Sequence, residues 1–298
     1  MSSIDYQHNL DITDIYTLTA GIEYRKEKGE NKGNFEGSVE NKAVYLNNKL
    51  RPLGESLIIN AGLRYDDHEI FGSKTTYRIG AVYQIKSLSL RIRGNYGTGF
   101  RAPSLNELFY PFYGNPDLRP EKSTAWEIVV EEDIIKEVSL SIAYFDQRYK
   151  NLIQTDPATW TAANIAKAEI KGVEIGAGFK ILDSINIKCG YTHLDAKDSV
   201  TGERLSRRPE NKLGISAGFN MKDLTLNIDY IFVGDRYDSS VKRDLSDYSL
   251  VNLSGSYRMT KGMVMFARFE NLFDKKYEEA GSYGTPGFSV FGGIRMSL

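Results

Sequence analysis

From Phe288 to Leu298 the chain alternates without a break. Phe288, Val290, Gly292, Ile294, Met296 and Leu298 fall on one side; Ser289, Phe291, Gly293, Arg295 and Ser297 fall on the other. A strand points successive side chains to opposite faces, so this period of two gives one apolar wall and one mostly polar wall. The same pattern recurs upstream. Leu57, Ile59, Ala61, Leu63 and Tyr65 oppose Asn60, Gly62 and Arg64, while Tyr77, Ile79, Ala81, Tyr83 and Ile85 oppose Arg78, Gly80 and Gln84. Leu88, Leu90, Ile92 and Tyr96 oppose Arg91, Arg93 and Asn95. Val173, Ile175, Ala177, Phe179 and Ile181 oppose Glu174 and Lys180; Leu224, Leu226, Ile228, Tyr230 and Phe232 oppose Thr225, Asn227 and Asp229. About fifteen such segments follow one another, each near the ~10 residues that a tilted strand needs to cross a bilayer.

A soluble sandwich or propeller also packs one strand face inward. Three features argue instead for an all-β transmembrane antiparallel barrel. The segments are longer than the ~5–6 residues usual in soluble strands. The polar face mixes charges, amides and glycine, as a wet or plugged lumen would. Tyr65, Tyr96, Tyr144 and Tyr191 sit at the ends of apolar faces, as in an interfacial girdle. The 19 Tyr and 27 Gly, against 8 Pro and 2 Trp, suit a barrel wall. No apolar run approaches the roughly 18 residues of a membrane helix. The balance of 38 Lys+Arg against 39 Asp+Glu gives no pull toward nucleic acid. The single cysteine, Cys189, excludes an internal disulfide and a cysteine-based zinc cluster.

Connections alternate in length. Short ones fall at Asp11–Asp14, Arg51–Glu55, Lys86–Ser87, Asp133–Glu137, Leu182–Ser184, Asn220–Asp223 and Thr260–Gly262. Long ones fall around Lys26–Ser38, Asp66–Lys74, Gly99–Ser123, Asn151–Lys167, Asp195–Lys212, Asp235–Asp247 and Asp274–Gly287. Outer-membrane barrels turn tightly in the periplasm and loop widely outside, so the final strand runs inward. Counting back places Met1 outside the cell. The opening Met1-Ser-Ser-Ile-Asp-Tyr-Gln-His carries no basic n-region and no apolar h-region. With an odd strand count, these features set the expectation of a barrel portion whose earlier strands are absent.

The strongest local signal is Gly-Thr-Gly-Phe-Arg-Ala-Pro-Ser-Leu-Asn-Glu-Leu from Gly97, followed by Phe-Tyr-Pro-Phe-Tyr-Gly-Asn-Pro-Asp-Leu-Arg-Pro-Glu-Lys-Ser to Ser123. Phe269-Glu-Asn-Leu-Phe-Asp-Lys-Lys-Tyr277, Arg207-Arg-Pro-Glu-Asn211 and the closing Gly-Gly-Ile-Arg-Met-Ser-Leu298 accompany it. Together these resemble the TonB-dependent outer-membrane receptors, of the vitamin B12 and siderophore type, along the whole chain. The family commonly ends in an aromatic residue, where this chain has Leu298. The resemblance implies a 22-stranded barrel around an N-terminal plug. Residues 1–298 would then be its C-terminal portion, about fifteen strands, with the plug and its TonB-contacting box not included. It implies a bacterial outer-membrane location and energy-coupled uptake of a bulky, scarce nutrient such as a ferric siderophore or vitamin B12. The implied partners are outer-membrane lipid, the ligand, TonB through the plug, and the barrel-assembly machinery through the last strand. No nucleic acid, cofactor or metal is implied.

Within Gly97–Ser123 the residue chemistry allows two readings. Pro103, Pro111, Pro116 and Pro120 fix φ and remove donors, and Asn115-Pro116-Asp117 is turn chemistry, so the segment can be a stiff loop that binds nothing. Alternatively Phe109, Tyr110, Phe112 and Tyr113 form an aromatic tip that meets the ligand, with Arg101, Asn115 and Asp117 as polar contacts. Haem-binding members carry a histidine between these boxes, and here there is none. His8, His68 and His193 are scattered and read as satisfied or solvated. Asp66-Asp67-His68 and Asp195-Ala-Lys-Asp198 could hold a hard cation but read better as solvated charge. Gly29-x-x-x-Gly33 lacks the lysine and helix of a phosphate loop. No nucleophile–base pair stands out, so the chain is not read as an enzyme. The rival readings are a passive porin or structural outer-membrane barrel, and an outer-membrane hydrolase.

Overall fold

The computed structural model describes residues 1–31, 35–156 and 158–297. The elements in chain order are β1 (Ser2–Thr13), β2 (Tyr16–Asn31), β3 (Phe35–Leu50), β4 (Pro52–Glu55), β5 (Leu57–His68), β6 (Gly72–Ile85), β7 (Leu90–Arg101) and the short helix α1 (Leu105–Phe109). They continue with β8 (Glu121–Ile135), β9 (Val138–Thr155), β10 (Ala162–Leu182), β11 (Ile185–Asp198), β12 (Asn211–Met221) and β13 (Leu224–Val233). The chain closes with β14 (Arg236–Asp238), β15 (Arg243–Leu245), β16 (Tyr248–Thr260), β17 (Met263–Glu270) and β18 (Ser289–Met296). Fifteen strands form one sheet in the order β1-β2-β3-β5-β6-β7-β8-β9-β10-β11-β12-β13-β16-β17-β18, while β14 and β15 form a separate hairpin. Every ladder is antiparallel and nearly every step joins sequence neighbours, as expected when tight turns alternate with outer loops.

The register confirms the phase of the alternation. Leu63 faces Tyr77 and Leu46, and Ile79 faces Tyr96. Tyr96 faces Trp126, and Ile128 faces Tyr144. These side chains share one face and stay exposed, including Ile79 at 52% and Ile128 at 50%. A large apolar surface without a protein partner is what a lipid-facing wall presents. Rings line its outer end: Tyr77 and Tyr96 lie 6.0 Å apart by centroid, Trp126 and Tyr144 5.2 Å apart. The opposite face carries ion pairs, such as Arg64 with Glu23 at 3.0 Å and with Asp66 at 2.8 Å. In β18, Val290, Ile294 and Met296 sit across from Phe269, Met265 and Met263, whereas Ser289 and Arg295 sit across from Glu270 and Val264 on the other face. Leu298 lies outside the described residues.

The strands run longer than the bilayer requires, which corrects several loop boundaries. β9 has 18 residues and β10 has 21. The ladder therefore absorbs most of the expected loops at Lys26–Ser38, Asp66–Lys74 and Asn151–Lys167. β2 pairs β3 out to Asn31–Phe35, β5 pairs β6 to His68–Gly72, and β9 pairs β10 to Thr155–Ala162. Backbone groups above the membrane still gain from pairing, and hairpins that continue outward satisfy them. Gly33 lies outside the described residues. Leu88, expected on a strand face, instead belongs to a 3-10 turn over Lys86–Leu88 that Ser89 closes in the left-handed region at φ 49°. The sheet is linear: β1 and β18 occupy its two edges and, among the described residues, do not pair with each other.

Candidate functional site

The segment between β7 and β8 keeps its own structure. Ser104 caps α1 in a reciprocal box: its Oγ accepts from the Glu107 N–H at 3.2 Å, and its own N–H donates to Glu107 Oε2 at 2.8 Å. Such a cap is worth about 1 kcal/mol. The last ladder pair before the loop is Arg101–Glu121. The Arg101 guanidinium donates to Glu121 twice at 2.7 Å and to Glu107 at 2.9 and 3.1 Å. One cation thus ties the strand end to the helix. Burial alone would raise the Glu107 carboxyl, but hydrogen bonds from Arg101 and Ser104 outweigh it and hold Glu107 below the ordinary carboxylate range.

From that anchor the loop turns across the polar, concave face. Leu105 packs against Gly29, where an added Cβ would lie 3.1 Å from its Cδ1, and Phe35 meets Tyr110 edge-on at 6.3 Å. α1 therefore reaches from β7 to the β2–β3 hairpin, over the intervening strands. Beneath it lies a cavity of about 580 Å³ lined by Glu23, Arg25, Arg64, Asp66, His68 and Arg101, among others. Gly114 passes so close to the end of α1 that a Cβ would stand 2.7 Å from the Phe109 and Tyr110 nitrogens. The chain then docks on the β9–β10 hairpin. Asn115 Nδ2 donates to the Ala162 carbonyl at 3.0 Å, the Ala162 N–H donates to the Tyr113 carbonyl at 2.8 Å, and Asn115 Oδ1 accepts from the Asp117 N–H at 3.0 Å. Asn164 accepts from the Arg119 N–H at 2.8 Å and donates to its carbonyl at 2.9 Å. Leu108, Leu118, Ile153 and Ala162 close a small core with Phe71 and Tyr113 against it.

What this scaffold leaves outside is aromatic. Phe109 and Tyr110 are each 42% exposed, and Phe112 is 99% exposed. Phe112 also holds φ at 64°, a left-handed conformation that costs a bulky residue about 1–2 kcal/mol.

A second cluster joins three other outer loops. Asp238, fully buried, accepts from Arg207 Nε at 2.9 Å, the Gly281 N–H at 2.7 Å, and the Ser240 N–H and Oγ at 2.9 and 2.7 Å. Burial pushes its carboxyl up, but these donors outweigh burial and leave it well below the usual range. Buried Arg236 donates to the Glu278 carbonyl and lies 5.2 Å from the Tyr248 ring centroid, and Tyr248 packs on Tyr277 at 4.3 Å. Asn271 accepts from the Lys275 N–H at 2.8 Å and donates to the Lys275 carbonyl at 2.9 Å, so the Phe269–Tyr277 motif ends β17 in a side-chain-locked turn.

The polar-lined, lipid-faced meander with an inward-folded outer loop matches the model of the TonB dependent receptor-like beta-barrel over residues 2–272. The chain belongs to this family. It is 30% identical over 289 residues to the vitamin B12 transporter BtuB of Photobacterium profundum, covering 94% of this chain and 47% of the relative. It is 31% identical over 280 residues to the same-named transporter of Vibrio cholerae, covering 91% and 45%. The chain thus spans about half the length of the curated relatives it matches. Among solved structures, the ferric enterobactin receptor PfeA of Pseudomonas aeruginosa superposes with a TM-score of 0.84 at 21% identity, over 99% of this chain and 53% of that one. The siderophore receptor PirA of Acinetobacter baumannii gives 0.83 at 18% identity, over 99% and 54%. At those identities the structures show the fold alone. Family membership makes the chain an outer-membrane receptor-type barrel rather than an enzyme.

Of the residues singled out from the TonB-dependent receptor motif, Phe109, Tyr110 and Phe112 are all left exposed, with Tyr110 edge-on to Phe35. Tyr113 and Asn115 face the β9–β10 hairpin, and Asp117 closes an Asx turn. Arg101 spends four of its five N–H groups on Glu107 and Glu121. His68 is buried, with Nδ1 accepting from the Ile70 N–H at 3.3 Å. Asp66 is bound by Arg64 and Asn41, Asp195 by Lys197, and Asp198 caps a turn through the Val200 and Thr201 N–H groups. The sequence reading missed Glu107, Glu121, Asn164 and Asp238. The Ser104-x-x-Glu107 spacing did signal a capping box. Nothing local marks Asn164 or Asp238, whose partners lie 45 and 43 residues away in Arg119 and Gly281.

Proposed function

We propose that the protein captures a bulky, scarce nutrient at the cell surface and passes it through an outer-membrane barrel in an energy-coupled step. The ligand classes are cobalamins and ferric siderophores, the cargoes of the relatives described above. The observation that carries the reading is Phe112: a fully exposed ring in a strained conformation, on a loop otherwise locked by buried contacts. Strain kept where nothing packs against it points to use. Phe109, Tyr110 and Phe112 meet the ligand, the exposed edge of Arg101 offers charge, and Tyr113, Asn115 and Asp117 hold the tip in place. In this reading residues 1–298 form wall and outer loops, the edge strands β1 and β18 pair with further strands, TonB acts through a plug, and β18 engages the assembly machinery.

The test is saturable binding of cyanocobalamin and of ferric enterobactin to outer membranes carrying the protein, with and without Tyr110→Ala and Phe112→Ala. Saturable binding of one ligand, weakened by both substitutions, supports capture by this loop. Absence of saturable binding together with steady ion conductance would make the protein a passive pore.

A further inference from the structure

On the lipid-facing side of β8, β9 and β10 the register builds a row of three lysines. Lys122 stands directly across from Lys150, and Lys150 directly across from Lys167. All three are exposed. Their face is fixed by parity: Trp126 and Ile128 on β8, Ile142 and Tyr144 on β9, and Ile175 on β10 alternate in phase with them, and all five are exposed to the bilayer side. Lys122 lies four positions beyond Trp126 and Lys150 six beyond Tyr144, toward the outer loops. At about 3.4 Å per residue and a tilt of roughly 45°, the row stands ~10 Å or more above the aromatic belt.

The tier directly below is built differently. There Arg148 pairs with Asp146 at 3.1 Å and Glu169 at 3.4 Å, Lys171 lies 3.9 Å from both Glu169 and Asp195, and Lys197 meets Asp195 at 2.9 Å. Three cations meet three carboxylates, and that tier is neutral. In the lysine row, among the described residues, no carboxylate lies within ion-pairing distance of any of the three amines. Like charges set directly opposite one another destabilise a ladder. A counter-charge from outside the chain relieves that repulsion.

We propose that Lys122, Lys150 and Lys167 form a docking row for the phosphorylated headgroup of an outer-leaflet glycolipid. The height above the aromatic belt places the amines in the headgroup region. The apolar faces beneath the neutral ion-pair tier accept the acyl chains, and three adjacent strands at ~4.8 Å spacing span a headgroup carrying more than one phosphate. Long lysine stems let the amines adjust to the depth of the phosphates.

The test reconstitutes the protein in phosphatidylcholine bilayers containing bisphosphorylated lipid A, or the same lipid A with its phosphates removed, and measures lipid A retained on the purified protein. The wild-type protein should retain the phosphorylated form selectively. The triple variant K122Q, K150Q, K167Q should bind it roughly a hundredfold more weakly, since each lysine near an anionic membrane surface is worth about a factor of five. The triple Lys→Arg variant should restore retention, and Lys150→Gln alone should cost about fivefold. Equal retention of dephosphorylated lipid A, or unchanged retention by the folded glutamine variants, overturns the proposal. So does displacement of the lipid by millimolar inorganic phosphate, which would reveal a free-anion site instead.

Discussion

Two outer regions of the molecule are each organised around carboxylate and arginine, and they serve different ends. In the β7–β8 loop, Arg101 is half exposed and its partners Glu107 and Glu121 lie within the same connection. In the hairpin cluster, Asp238 is fully buried and its partners Arg207 and Gly281 come from two other loops. The first lock fixes the shape of one loop and leaves its aromatic tip in water. The second fastens three loops to one another around a carboxylate that is itself out of water. A surface pair is weakened by solvent, whereas a buried carboxylate with four donors fails badly if it is removed. The Asp238 cluster therefore reads as the fixed frame of the outer surface, and the Arg101 loop as its presenting element.

The sharpest way to break this contrast is Asp238→Ala. It leaves the Gly281 and Ser240 N–H groups without their buried acceptor, at a local cost of about 1–3 kcal/mol, while the half-exposed Arg207 turns to solvent. Hydrogen exchange should rise together in residues 199–210, 234–247 and 271–288. A rise confined to residues 234–247 would show that the three loops are not coupled.

Arg101→Ala should act more weakly, loosening α1 by about 1 kcal/mol or less, because its ion pairs are partly solvated. Limited proteolysis should then cut within residues 102–120 while the Asp238 cluster stays protected. Loss of protection in both regions would erase the distinction between them.

Acid should separate the same two regions gently. The folded pKa values of Asp238 and Glu107 are depressed, so the unfolded loops bind more protons. Their stabilisation is complete above the ordinary carboxylate values near 4 and is lost as pH falls through the lower folded values. Protection of the loop amides, corrected for intrinsic exchange, should therefore show no pH dependence from these two groups between about pH 7 and pH 5, and should fall below about pH 4. Asp238→Asn should remove that step in residues 199–210 but keep it in residues 102–120.

The smallest effect on stability is expected from Phe112→Ala, within about 0.5 kcal/mol of wild type, since the ring packs on nothing. Its effect should fall on ligand binding alone. A clear drop in thermal stability would mean that the ring has a structural role.

Much of this was legible in the chain. Period-two alternation gave the strand faces at Leu57–Tyr65, Tyr77–Ile85 and Leu224–Phe232, because a residue's face depends only on its parity. Loop ends were harder. Asp66–Lys74 and Asn151–Lys167 carry loop-like polar residues yet remain in the ladder, since above the bilayer a hairpin gains from backbone pairing whatever its side chains. At the candidate site, the aromatic tip and the turn at Asn115–Asp117 could be read from composition. The grip of Glu107 and Glu121 on Arg101 could not, because it depends on where the loop folds back.

The sequence by itself determined the all-β architecture, the lipid and lumen faces, the alternation of turns and outer loops, and the receptor family, because each rests on local periodicity or on contiguous motifs. Only the tertiary structure decided that α1 reaches over the neighbouring strands to Gly29 and Phe35, that Asp238 joins three loops, and that Lys122, Lys150 and Lys167 stand in one row. Each of these brings together residues far apart in the chain. The sheet register and the path of the loops set those meetings, and a one-residue slip in pairing would abolish the lysine row while leaving the sequence unchanged.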